Sequence, residues 1–176
     1  NDLGDYFLLL ESADVSPLLD DGCLKIGTYT YDKMVLTPLM MDFGIREVNR
    51  MPDIRTTAPS HKRITEQVID LFNGIKSYQE QSELHFFEIY PFLGLNTQGY
   101  DMQKARAGHA ALPELLDKYF GAFTAESIQQ RPPLLRQKMG TFSGDIDDLG
   151  YYAFAGIKLY PPLGFDPWPD DALERE

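Results

Sequence analysis

The stretch Tyr151-Tyr152-Ala153-Phe154-Ala155-Gly156-Ile157-Lys158-Leu159-Tyr160, continued by Pro161-Pro162-Leu163-Gly164-Phe165-Asp166-Pro167, decides how the chain is read. Apart from Lys158, its first ten residues are apolar or aromatic, the composition of a strand covered on both faces. Pro161 and Pro162 cannot donate to a sheet ladder and end the strand. Gly164, Pro167 and Pro169 then shape a rigid loop, and Asp170 or Asp171 can cap a helix starting at Ala172. A strand, a loop and a helix start, with one ionisable side chain near the strand's C-terminal end, form the layout of an α/β active-site element.

Upstream the pattern alternates. Val35 to Phe43 reads as a buried strand with Asp42 near its end. A polar stretch with Pro52 and Pro59 follows, and then Ile64, Val68, Leu71, Phe72 and Ile75 form one stripe of a 3.6-residue period, with Ser60 placed to cap that helix. Leu84 to Leu95 reads as a second strand leading to Asn96, with Pro91 marking a bulge or a frayed end. Leu112, Leu115, Leu116, Tyr119 and Phe120 give a second helical face that Gly121 can terminate. A further helix from Ala125 is expected to be interrupted at Pro132-Pro133 and to resume briefly over Leu134 to Met139. The N-terminal part is less regular: Tyr6 to Leu10 fits a strand or a helical turn, Asp20-Asp21-Gly22 marks a turn, and Leu24 to Tyr29 alternates like a short edge strand. Strand–helix alternation predicts parallel βα units joined by crossovers.

Gly156-Ile157-Lys158-Leu159-Tyr160-Pro161-Pro162-Leu163-Gly164-Phe165 resembles a middle-strand segment of amidohydrolase-related metal-dependent hydrolases, which are (β/α)8 barrels. Val35-Leu36-Thr37-Pro38-Leu39-Met40-Met41-Asp42 and Tyr90-Pro91-Phe92-Leu93-Gly94-Leu95-Asn96 resemble earlier strands of that family, in the right order. The resemblance implies a divalent metal, zinc, activating water against an amide, ester or related bond of a small-molecule substrate, with decarboxylases among the relatives. It also implies that 1–176 is a single domain forming the N-terminal half of a larger TIM-type barrel, because about 250 residues complete one. The family's His-x-His on its first strand is missing here, so ligand counting predicts that the 1–176 chain alone is inactive.

Catalytic groups of such barrels sit at the C-terminal ends of strands. That rule selects Lys158 and Asp42 as candidate catalytic residues, and Asn96 and Tyr160 as candidate substrate-binding residues. A lysine between Ile157 and Leu159 is costly to bury as an ammonium and would need a carboxylate partner, a shifted pKa or a modification. In some members of the resembled family such a lysine is carboxylated and bridges two metals; the alternative is an internal salt bridge or a contact to a substrate carboxylate. Asp42 and Asn96 can instead cap turns, and Tyr160 can simply pack. His61, His85 and His109 form no His-x-His or His-x-x-x-His pair. Cys23 reads as a small apolar filler, and Asp145-Ile146-Asp147-Asp148 as a solvated turn.

Composition limits the remaining classes. A formal charge of −11 opposes a nucleic-acid surface. No apolar run of about 20 residues marks a membrane span, and one cysteine excludes an intrachain disulfide. A cytoplasmic protein, able to form homo-oligomers, is the expectation. Two rivals stand beside the hydrolase: a non-catalytic degenerate or half-barrel binding module, whose open sheet edges a partner must cover, and an α/β enzyme using Lys158 as a Schiff-base nucleophile.

Overall fold

A computed structural model describes residues 2–40, 64–95, 111–122 and 124–159. Helix α1 (Leu3–Leu9) opens on a capping box in which Asp2 and Asp5 each accept the other's backbone N–H, and it passes directly into a π-helical turn over Leu10–Val15. The helical alternative for Tyr6 to Leu10 is therefore the one adopted. Strands β1 (Leu19–Asp20), β2 (Cys23–Ile26) and β3 (Tyr29–Tyr31) follow as an antiparallel meander. Asp21 and Gly22 turn its first corner with φ of 51° and 74°, the left-handed values a two-residue hairpin demands and Gly and Asp tolerate.

The central sheet is parallel. Strand β4 (Met34–Leu36) pairs with β6 (Phe87–Ile89), and β5 (Leu39–Met40) pairs with β7 (Phe92–Leu95), which also pairs with β8 (Gly156–Leu159). β4 and β5 form one interrupted strand, as do β6 and β7: Met34 faces Phe87 and Leu39 faces Phe92, the same offset on both sides of the break. Between them Tyr90 N donates to Leu36 O and Phe92 N to Pro38 O, both at 2.9 Å. The break falls at Pro38 because the residue there has no N–H to give back to the ladder. Pro91 makes no bulge; its carbonyl accepts from Ala155 N at 2.8 Å, where β8 begins.

Helix α2 (Ile64–Gln81) crosses over between β5 and β6, and α3 (Ala111–Phe120) with α4 (Ala125–Met139) lies between β7 and β8. The stripe Val68, Leu71, Phe72 and Ile75 is buried as its period predicts, and the helix runs on to add Tyr78. It packs on the sheet face carrying Met40, Phe87, Ile89 and Leu93. Gly121 ends α3, its N–H reaching Asp117 O at 3.0 Å. The acidic run forms a 3₁₀ turn in which Asp145 accepts from Asp147 N.

Of the expected part of a (β/α)8 barrel the structure shows the coarser form, a mixed α/β fold with small parallel sheets, and no barrel closes among the described residues. Two expectations need correction. Pro132-Pro133 does not interrupt α4, which is continuous through both prolines. The carbonyls they leave without donors belong to Ile128 and Gln129, both exposed residues. Finally, the apolar run before Lys158 is mostly not strand. Tyr152, Ala153 and Phe154 turn into the core, where the Phe154 ring meets Phe72 and Tyr119 edge-on, and pairing begins only at Gly156.

Candidate functional site

The parallel strands end at Met40, Leu95 and Leu159. Asp42, Asn96 and Tyr160 follow them in sequence and lie outside the described residues, as do His61, His109 and the loop from Pro161 onward. Lys158 is described. It occupies the penultimate position of β8, paired with Gly94 of β7, and its side chain is exposed. The premise of a desolvated lysine is thereby corrected: strand β8 is half-buried elsewhere, and Lys158 points to the face opposite α2.

That face is open. Along β4 and β5 burial alternates, with Met34, Leu36 and Met40 turned inward and Val35 and Leu39 left 55 % and 42 % exposed. Glu88, Tyr90 and Phe92 share this side on the neighbouring strand, since directly paired residues of a sheet point the same way. Phe92 lies across Gly156, where a Cβ would approach the ring to 2.7 Å, so glycine is needed for the ring to lie flat on β8.

A concave region lies about 20 Å away, six residues of strand back from Gly94. It is a cleft of about 290 Å³ at the N-terminal end of the sheet, between β6 and α4. Glu88 lines it and accepts from Tyr90 Oη at 2.6 Å and Arg136 Nη2 at 3.2 Å. Burial, and then the Glu88 carboxylate it serves, push the Tyr90 hydroxyl up to about 12, so it stays a donor. Lys33 and His85 close the near rim. His85 holds a φ of 49°, unusual for a residue with a side chain, and is fixed there by Ser82 Oγ on its N–H and Lys33 Nζ on its carbonyl, at 2.7 and 2.6 Å. Sequence reading passed over this group. The i, i+2 spacing of Glu88 and Tyr90 puts both on one strand face, but nothing local points to Arg136 on a later helix.

Deeper still, Glu11 of the π turn is buried and bonded on all sides. Tyr78 Oη donates to it, Ser82 Oγ at 2.6 Å and Phe86 N at 2.8 Å. Every donor is satisfied within the core, which makes this a structural clasp rather than a site.

Among the described residues no group of three or more His, Cys, Asp or Glu stands together to hold a metal. No described helix is long and apolar enough to cross a membrane. No family model, no curated protein and no solved structure matches this chain.

Proposed function

We propose that these residues form part of a (β/α)8-barrel hydrolase of the amidohydrolase type, acting with a divalent metal on an amide, ester or related bond of a small molecule. The observation that carries the reading is the order of the parallel strands. Strands β4/β5, β6/β7 and β8 lie side by side in chain order with helices between them, and Lys158 sits near the C-terminal end of the last. This is the arrangement from which barrel active sites are built. The sequence resemblance supports the same assignment.

The described residues do not themselves fit a metal, so no chemical step is assigned to one. What this chain supplies is Lys158. Standing over Gly94, which has no side chain to obstruct it, the amine is free to meet a carboxylate or a developing negative charge on a substrate at the strand ends. Metal analysis of the purified protein, followed by a screen of esters, amides and decarboxylation substrates with zinc added, tests the proposal. Bound metal and turnover that Lys158→Ala lowers by about a hundredfold or more in kcat/KM are expected. Absence of both metal and turnover in the intact protein overturns it.

One observation favours a second reading, a non-catalytic binding module. Parallel sheets are ordinarily covered on both faces, yet Val35 and Leu39 are exposed. A module using that face to self-associate would sediment as a dimer, and Val35→Lys would make it monomeric. A hydrolase would remain active whichever state it sediments in.

A further inference from the structure

The cleft at the N-terminal end of the sheet lies apart from the strand ends of the proposed active site, and its chemistry can be read independently of that proposal. It follows the edge of β6 that faces away from β4. In a parallel ladder alternate residues turn their backbone groups to opposite edges. Phe86 and Tyr90 bond toward β4 and β5, whereas Phe87 N reaches Tyr78 Oη at 2.9 Å and Pro91 O receives Ala155 N on the other side. Ile89 lies between these two on the outer edge, where β8 has not yet begun, and it lines the cleft. The backbone N–H of Ile89 therefore turns toward the space between β6 and α4.

The charges around this space are unequal. Lys33 and Arg136 stand against Glu88. Glu88 is already engaged on both carboxylate oxygens, by Tyr90 and by Arg136. Arg136 has five donors and bonds to Glu88 and Tyr90, and Lys33 gives one of its three to His85 O, so both cations retain donors for a further acceptor. Leu135 and Pro132 supply an apolar wall. On an acidic protein a concavity with a cationic rim runs against the global charge, which focuses whatever anion enters it. The volume, about 290 Å³, is at the small end of ligand pockets and suits one ring or a short chain.

From this combination we infer that the cleft between β6 and α4 is a binding site for a small monocarboxylate with an apolar body, its carboxylate lying between Lys33 and Arg136 and its body against Leu135. Arg136 is the specificity-determining residue, because its planar fork can offer paired N–H donors to a ligand carboxylate while another N–H stays on Glu88, a bidentate geometry that an ammonium lacks.

The test is titration of the whole chain with benzoate, followed calorimetrically, with benzamide as the uncharged isostere. Saturable benzoate binding is expected, with benzamide much weaker. Arg136→Gln should weaken benzoate by about tenfold or more, with Arg136→Lys falling between it and the wild type. Gln79→Trp, a surface change on α2 that intrudes on the cleft, should block binding without touching any charge. Melting of each variant checks that it is folded, and if Arg136→Gln does not fold, Gln79→Trp decides. No saturable binding, equal binding of benzamide, or binding that folded variants leave unchanged overturns the inference.

Discussion

Tyr78 and Glu11 meet in the core: the phenol donates to the carboxylate while its own oxygen accepts Phe87 N at 2.9 Å. Through this one pair the π turn that follows α1 is fastened to α2 and to the start of β6. A carboxylate that accepts three hydrogen bonds in the interior leaves three donors stranded if it is removed. Glu11→Ala is expected to cost on the order of 3 kcal/mol of stability, and Tyr78→Phe, which strands fewer groups, about 1–2 kcal/mol. Denaturant unfolding measures both. A cost for Glu11→Ala no larger than that of an ordinary surface substitution would show that the clasp is not formed.

The tyrosines also set how stability depends on alkaline pH. Burial first, and then donation to Glu88, raise Tyr90 from 10.0 to about 12; burial and the bond to Glu11 raise Tyr78 further. Below about pH 10 both residues are protonated in the folded and the unfolded chain, so they give no slope. Above it the unfolded chain releases protons that the folded chain keeps, and stability falls as pH rises toward about 12. Unfolding curves across that window should show the decline, and Tyr90→Phe should make it shallower. An unchanged slope in Tyr90→Phe would mean that Tyr90 ionises as freely in the folded protein as in the unfolded one.

Close contact between α1 and α2 rests on two glycines. A Cβ on Gly74 would stand 2.6 Å from Leu3 Cβ and 3.0 Å from Gly4 N, and one on Gly4 would stand 2.6 Å from Ser77 Cβ. Helix propensity alone favours alanine over glycine by about 1 kcal/mol. Here backbone as well as side chain stands in the way, and overpacking of this kind costs about 1–3 kcal/mol. Gly74→Ala is therefore expected to lower the melting temperature. A rise would mean that the helices sit farther apart than described.

What the sequence made legible follows from where its signals are local. The stripe from Val68 to Ile75 has one period and one explanation, and α2 follows it. The parallel strands could be placed because Val35 to Met40 and Phe87 to Leu95 are short apolar runs on either side of a helix. The same reasoning misjudged Tyr152 to Phe154, since apolarity reports burial and cannot tell a core-facing turn from a strand. It missed Glu11, because a lone acid among apolar residues looks exposed until its partners on α2 and before β6 are known. The Glu88–Arg136 contact is equally hidden, joining residues that only the crossover of α4 brings together.

Lys158 separates stability from function. A buried, partnered lysine would cost about 3–5 kcal/mol to truncate, because its partner would be left as an uncompensated charge. Lys158 is exposed on the open face of β8, opposite a glycine. Lys158→Met is therefore expected to change unfolding free energy by no more than about 0.5 kcal/mol. In the hydrolase proposed above, the same variant removes the cation beside the substrate and should lose most of its kcat/KM. A folded, fully stable and inactive Lys158→Met protein is the outcome that assigns this lysine to the reaction. If the variant instead unfolds readily, the lysine is part of the scaffold and the functional role passes to other residues at the strand ends.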